Sequence, residues 1–402
     1  MNSVGIDVSK GKSMVCVMRP FGEVVVSPFE IHHMDNELCE LAKLLRSLPG
    51  ETRVVMEATG NYHLPIAWLL NDSGFYVSVV NAILVHDYGN NSLRRAKTDK
   101  KDAIKLANYG LDHWLTLPRY VPEEDTRLLL KNCYRQYQQY SKVQTMLKNN
   151  LISLLDTAFP DANRLFSSPP RAHGSEKWVD FVSLFWHCEC VCDNSEKAFV
   201  AKYQKWCRKH GYNFSENKAL DIYASACGHF GVMPKTDTAK LLVEQAVFQL
   251  RATSTALASL KQEMQSLAAS LPEYPVVMKM FGVGPALGPQ LMAEIGDVRR
   301  FHSKKALVAF AGIDAPPYQS GQMDVYSRSI SKRGSSSLRR TLFLVMGIYL
   351  QKAPADEPIY QFMDKKRSEG KPYKVYMMAS ANKFIRIYYA TVKAYLDSLD
   401  QA

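Results

Sequence analysis

Four carboxylates in the first quarter of the chain have the residue types and settings for divalent-cation chemistry. Asp7 sits inside the apolar run 4–8, and Glu57 follows Val54-Val55-Met56. A charge buried in either setting without a partner is costly. Asp99 and Asp102 are three residues apart, which places both on one face of a helix. Strand ends lying side by side would make Asp7 and Glu57 neighbours, and a helix docked across them would deliver the other two. Clustered carboxylates repel unless a cation neutralises them, and Mg²⁺ takes oxygen ligands at ~2.1 Å. Two such ions ~3.5–4 Å apart stabilise the attacking and leaving oxygens of phosphoryl transfer. The plainer alternative for Asp99 is an N-cap at a solvated helix start.

Basic residues surround two of these features. Arg94, Arg95, Lys97, Lys100 and Lys101 flank the helix acids and are placed to neutralise nucleic-acid backbone. Arg328, Lys332, Arg333, Arg339 and Arg340, interleaved with Ser and Gly, suit phosphate tracking more than base reading, or else form a solvated basic face. Gly282-Val-Gly284 before a helix reads as a helix-hairpin-helix turn, whose exposed N–H groups can hold a phosphate, or as a simple tight turn. Ser320 lies in Gln319-Ser-Gly321 after Pro316-Pro317, in a loop where Gly321 permits close approach. No adjacent His offers it a general base, and taken alone it is an ordinary loop serine. His187, Cys188, Cys190 and Cys192, with Cys207 and His210, invite a zinc reading. The C-x-C-x-C spacing departs from structural zinc patterns, which favours free thiols. Tyr134, Tyr137 and Tyr140 read as helix packing before base stacking.

The elements that must position these groups are legible in order. Strands are expected over 4–8, 13–19 and 23–29, the last two joined by a hairpin at Pro20-Phe21-Gly22. A helix over 36–48, a strand over 53–57, a helix over 62–71, a strand over 75–80 and a helix over 99–109 complete a mixed sheet with helices packed on it. Residues 123–158 and 243–271 carry heptad-like spacing, the first through Leu129, Cys133, Tyr140, Val143, Leu147 and Leu154. These two arms can pack on each other or on another protomer, and the reading favours oligomerisation. Between them 159–233 is irregular and aromatic, an inserted subdomain. After Pro272 the chain becomes basic and helical, with a helix opening at the Gly282-Val-Gly284 turn and running to 295, and others over 337–350, 358–367 and 374–396. The domain expectation is therefore 1–120, 121–272 with the insert at about 159–233, and 273–402.

Composition narrows the class. The chain has 402 residues, 47% apolar and 22% charged, which excludes a disordered or fibrous protein. Net charge is 0 over 1–122, +3 over the middle and +8 over 273–402, so the basic excess is C-terminal and favours a polyanionic partner. No apolar stretch approaches the ~20 residues of a membrane span, and the N-terminus lacks a secretory pattern. A cytoplasmic protein without a membrane partner is expected, and the eight cysteines without a C-x-x-C suit reduced thiols.

Taken together, Gly5-Ile-Asp7-Val-Ser-Lys10, Met56-Glu57-Ala-Thr-Gly60 and Lys97-Thr-Asp99-Lys-Lys-Asp102-Ala resemble the RuvC-like, RNase H-fold domain of the DEDD-type insertion-sequence transposases, the group that includes the Piv invertases. Gly282-Val-Gly-Pro285, Ala293-Glu-Ile-Gly-Asp297, Phe310-Ala-Gly312, Tyr318-Gln-Ser320-Gly321 and Ile330-Ser-Lys-Arg-Gly334 are similar to their C-terminal domain. No motif of 159–233 takes part in the resemblance.

The resemblance implies an α/β domain followed by coiled-coil helices and a mostly α-helical C-terminal domain. It implies Mg²⁺ held by Asp7, Glu57, Asp99 and Asp102, and Ser320 as the nucleophile that attacks DNA. It further implies donor and target DNA, a structured bridge RNA as guide, and a tetramer in which acids and serine come from different protomers, associated with the nucleoid when active. The competing expectation is a metal-dependent, junction-resolving endonuclease that uses the same acids and activated water.

Overall fold

Three strands open the chain: β1 (Asn2–Val8), β2 (Lys12–Arg19) and β3 (Glu23–His32). The β2–β3 turn is a tight one at Pro20–Gly22, with Phe21 at φ 64° and Gly22 at φ 82°. They are followed by α1 (Asp35–Ser47), β4 (Thr52–Glu57), α2 (Leu64–Asp72), β5 (Tyr76–Val80), α3 (Ala82–Asp87) and α4 (Asp99–Asp112). In this computed structural model the described residues are 1–58, 60–88, 98–315, 319–320, 323–324 and 329–401. The chain divides into two units, Met1–Pro122 and Glu123–Ala402.

In the first unit the sheet order is β3-β2-β1-β4-β5, with β1, β2 and β3 antiparallel and β4 and β5 parallel to β1. That mixed sheet is the one the sequence predicts, and its order is the RNase H-like, RuvC-type arrangement the resemblance implies. Strand alternation sorts the two faces. Val4, Ile6, Val54 and Met56 pack with Leu38, Leu41 and Leu45 of α1 and Ile66 and Leu70 of α2. On the other face Cys16 and Met18 meet Ala103 and Ala107 of α4, and Val55 meets Leu106 and Tyr109.

The second unit is built on α5 (Asp125–Ala158) and α10 (Asp237–Ala269), enclosing α6 (Lys177–Val182), α7 (Glu189–Cys192), α8 (Glu196–His210) and α9 (Glu216–Gly228). Beyond them come α11 (Tyr274–Met278), α12 (Gly288–Ile295), α13 (Lys304–Ala311), the short strands β6 (Gln319–Ser320) and β7 (Met323–Asp324), α14 (Ser336–Lys352), α15 (Pro358–Ser368) and α16 (Tyr373–Leu399).

The two arms pack on each other within one chain; Gln144 Nε2 donates to Ser254 Oγ at 2.9 Å between them. The expected seam needs correction on α5. Leu129 and Val143 are exposed, while Leu130, Tyr134, Leu151 and Leu155 are buried. The reason is that α5 serves two cores. One end joins α12, α14 and α16 through Leu130 and Tyr134, and the other joins the insert through Leu151 and Leu155, so no single seven-residue stripe describes it. The insert is helical, centred on Phe181, which contacts Phe159, Phe166, Phe185, Tyr203 and Trp206 at ring-centroid distances of 4.7–6.3 Å. Among the described residues no helix is long and apolar enough to cross a membrane.

Candidate active site on the sheet and its C-terminal companions

The parallel register pairs Ile6 with Met56, so one step further Asp7 lies alongside Glu57 at the C-terminal ends of adjacent strands. Both are half-buried. Parity sets which face they occupy. Val55 packs toward α4 while Val54 and Met56 pack away, and Glu57, two residues after Val55, returns to the α4 face.

Small residues place α4 on that same face. A Cβ on Gly5 would stand 2.1 Å from the Ala103 carbonyl oxygen and 2.3 Å from the Ala107 nitrogen. One on Gly110 would stand 2.2 Å from Ser3 Oγ and 2.8 Å from Val55 Cγ2. Ser3 opposite Gly110 and Gly5 opposite Ala103 and Ala107 mean that α4 runs antiparallel to β1. Two further strand residues, about 6.6 Å at ~3.3 Å each, match roughly four helical residues at ~1.5 Å each. That brings Asp7, on the face of Ser3 and Gly5, to the first turn of α4, where Asp99 and Asp102 reside. Backbone register therefore points Asp7, Glu57 and the first turn of α4 toward the same end of the sheet.

The side chains are less tightly gathered than the backbone. Asp99 is exposed, Asp102 half-buried, and among the described residues no three His, Cys, Asp or Glu side chains form a group able to hold a metal ion. An all-carboxylate donor set nonetheless suits Mg²⁺, which takes few protein ligands and keeps water. Lys12 of β2 adds a local cation. Its ammonium donates to Glu30 Oε2 at 2.7 Å, and its pKa is raised first by that hydrogen bond, then by the charge of Glu30 and, more weakly, by that of Asp99. The N-cap of α4 is Thr98, whose hydroxyl accepts from the Lys101 N–H at 3.4 Å, so the alternative reading of Asp99 as the N-cap does not hold. Asp99 is the first helical residue, and its carboxylate is not used in capping by Thr98.

In the second unit Ser320 belongs to a short strand and not to a loop; it pairs with Met323, and Gln319 pairs with Asp324. The stems of this segment are tied together. The Ser331 N–H donates to the Asp314 carbonyl at 2.8 Å, the Ser331 hydroxyl bonds the Asp314 carboxylate, and the Lys332 N–H donates to Gly312 O at 3.0 Å. Gly334 is required there, since a Cβ would lie 2.2 Å from Phe310 O. Lys332, Arg333 and Arg340 are exposed, whereas Arg339 is half-buried and donates to Ala311 O at 3.0 Å. Arg94, Arg95, Lys97 and Arg328 lie outside the described residues.

Gly282 has φ 73°, and a Cβ on it would meet the Tyr349 ring at 2.9 Å. Gly284 is exposed with open space around it. The following helix begins at Gly288, later than the expected start beside Gly284, because Leu287 and Gly288 N–H groups both close a turn on Gly284 O. Glu294 is buried and accepts from Ser335 Oγ at 2.7 Å, holding the start of α14. Tyr134 is buried with its hydroxyl 2.8 Å from Thr341 Oγ1, a packing role. Cys207 lies in the aromatic core, and His187 Nε2 is 2.8 Å from Met233 O.

Two groups were not singled out by sequence reasoning. Gly5 and the Ala103, Ala107, Gly110 stripe set the site, and their small-residue spacing of four and three along α4 was the available signal. The cations Arg171, Lys177 and Lys218 of the insert are far apart in sequence and gave none.

Comparison with known proteins finds relatives for both ends of the chain. Residues 4–160 match the DEDD IS110 transposase family, and residues 274–361 match the transposase IS116/IS110/IS902 family. Over 343 residues, 85% of this chain and 80% of the relative, the sequence is 22% identical to the pilin gene-inverting protein of Moraxella bovis. Identity to its counterpart in Moraxella lacunata is 23% over the same extent. Among solved structures, T. thermophilus RuvC in complex with a Holliday junction substrate is similar over 28% of this chain and 94% of its own, at 12% identity and a TM-score of 0.22. The fold assignment rests on strand order and not on that likeness.

Proposed function

Because the chain belongs to the IS110-type transposases, with both of the family's domains in order, we propose that it cuts and rejoins DNA through a serine-linked intermediate. It is a DNA transposase or recombinase; the finer assignments that follow are our reading. The observation that carries it is the docking of α4 through Gly5 and Ala103, which supports Asp7, Glu57, Asp99 and Asp102 as one acid cluster. These four would hold Mg²⁺, which supplies charge neutralisation to the phosphate when bound.

In this reading Ser320 Oγ attacks the scissile phosphorus. The P–O3′ bond breaks, the 3′ oxygen leaves as a hydroxyl after taking up a proton, and the 5′-phosphate stays on the serine. The serine proton passes to a carboxylate or to water, as no histidine lies next to it in sequence. The phosphoserine ester keeps the bond energy, so attack by a new 3′-hydroxyl reverses the step and rejoins strands without ATP. Lys332, Arg333 and Arg340, exposed, and the backbone near Gly282 and Gly284 would hold phosphates. Arg94, Arg95, Lys97, Arg328 and Arg339 remain candidates for the same task. A bridge RNA as guide and a tetramer that completes the site between protomers belong to the same proposal and follow the family resemblance alone.

Incubating the full chain with nicked DNA, cognate RNA and Mg²⁺, followed by peptide mass spectrometry, tests it. Phosphorylated Ser320 is expected, with no adduct from Ser320→Ala. Normal cleavage by Ser320→Ala would instead establish hydrolysis by activated water, and modification of Tyr318 or Tyr326 would establish a different nucleophile.

A further inference from the structure

The insert that neither family match covers, within residues 161–273, holds an arrangement of cations that its own composition does not force. Residues 159–233 carry nine Lys and Arg against eight Asp and Glu, so the grouping is one of position. Arg171 lies with its guanidinium 4.0 Å from the centre of the Tyr212 ring, and Lys177 Nζ is 5.0 Å from the same ring and 4.9 Å from that of Phe166. Lys218 Nζ reaches Phe166 at 6.0 Å. All three cations are half-buried, their stems laid on aromatic surface.

Among the described residues no carboxylate forms an ion pair with any of them. The two nearby acids are engaged elsewhere. Glu176 accepts from Lys148 at 2.7 Å and from the Trp178 indole at 2.8 Å, and Asp180 from Arg251 at 2.7 Å and the Tyr212 hydroxyl at 2.6 Å. Among the described residues Arg171 donates to the carbonyls of His210 and Gly211 and to no carboxylate. Burial lowers the Lys177 pKa; Cys207 opposes this, and the charges of Lys218 and Arg171 add to the lowering. Three cations seated on one aromatic face, with no carboxylate ion-paired to them among the described residues, suit an anionic partner.

Arg171 is also a wall of a cavity of about 490 Å³ between the insert and α10, whose lining holds Lys209, the imidazoles of His173 and His210, Glu176 and the Asp180–Arg251 ion pair. The cavity has a fixed floor, because Gly174 approaches α10 so closely that a Cβ would lie 2.6 Å from Ser254 O. The cations thus continue from the Phe166–Tyr212 face across the cavity rim instead of converging on one point. A line of separated cations matches a row of phosphates better than a single small anion. Tyr212 has Arg171 over its ring and Trp206 stacked against it at 5.2 Å, which leaves no face for a base.

We propose that the insert is a second nucleic-acid contact, in which Arg171, Lys177 and Lys218, continued by Lys209 at the cavity, grip the phosphodiester backbone of a strand without reading its bases. The proposal rests on the chain acting on nucleic acid, and requires neither the acid cluster nor Ser320.

The test is fluorescence-anisotropy binding by the full chain without divalent cations, so that no strand is cut. Fluorescent single-stranded RNA, single-stranded DNA and duplex DNA of unrelated sequence are titrated across a salt series. Lys177→Gln/Lys218→Gln is expected to flatten the dependence of log affinity on log salt by about 1.4 for single strands, or about 0.7 for Lys218→Gln alone. Lys197→Gln, an exposed lysine on α8, should leave it unchanged. Flattening with one probe only identifies the bound strand type. Parental slopes with all three probes for both the double and the single variant overturn the proposal. Failure of the recombinase reading is seen separately, as a parent that binds with the full slope but exchanges no strands when Mg²⁺ is restored.

Discussion

Gly5 of β1 lies against Ala103 of α4 with no room for a methyl group, at a would-be Cβ distance of 2.1 Å to a backbone oxygen that cannot swing away. This contact sets the height of α4 above the sheet. It also fixes where the first turn of the helix, with Asp99 and Asp102, falls relative to Asp7, two residues along the strand.

Gly5→Ala should therefore lift or slide α4. The obstacles are backbone atoms, so the cost is expected near the upper end of overpacking values, about 3 kcal/mol. Urea denaturation monitored on Trp114, which lies in the same unit, checks this. Strand cleavage should fall more than stability alone explains at temperatures where the variant remains folded.

Asp7→Asn and Asp102→Asn keep shape and remove charge. Each is expected to lower DNA cleavage on the order of 10²- to 10³-fold, the usual range for loss of one electrostatic contributor. DNA affinity in the absence of Mg²⁺ should hold or rise, because a carboxylate facing phosphate is gone. Parental cleavage by both variants would show that the acid cluster is not the catalytic one.

In the second unit Arg127 and Glu273 form a buried two-pronged ion pair between α5 and the start of α11. The two side chains are 6% and 1% exposed, with Arg127 Nη2 donating to Glu273 Oε2 at 2.9 Å. Glu273→Leu alone should cost about 3 kcal/mol, since it leaves the buried guanidinium with the exposed Glu124 carboxylate at 3.4 Å in place of its buried partner. Arg127→Met with Glu273→Leu should recover most of that loss in a double-mutant cycle.

Asp297, which follows Gly296 after α12, provides a pH signature. Burial pushes its carboxyl up, but hydrogen bonds from the Arg299 side chain and backbone N–H, with the charges of Arg299 and Arg127, hold it below the usual range. A carboxylate depressed in the folded state contributes stability above its unfolded pKa of about 3.9, and that contribution disappears as pH falls through the lower folded value. Asp297→Asn should accordingly be less stable than the parent at pH 6, with the gap closing below about pH 4 in a chemical-denaturation series.

The placement of the candidate acids on their elements was legible in the sequence because its signals are local. A charge placed inside a short apolar strand, as at Asp7 and Glu57, is costly wherever the chain goes. Alternation along a strand and the spacing of Asp99 and Asp102 on a helix are properties of a few consecutive residues. The hairpin at Pro20–Gly22 and the order of strands and helices were readable for the same reason. What tertiary structure alone decided were relations between distant segments. Whether α5 and α10 pair with each other or with another protomer is open to a heptad pattern, and only packing resolved it within the chain. Leu130 took the buried place expected of Leu129 because α5 meets several partners at once. The direction in which α4 crosses β1 follows from glycines whose absent side chains matter only against a specific neighbour. Arg171, Lys177 and Lys218, separated by up to 47 positions, become one surface because Phe166 and Tyr212 seat them together. Sequence specifies which charges exist and on which element each rides; the fold specifies which of them must share a space, since electrostatic energy depends on distance in three dimensions and not along the chain.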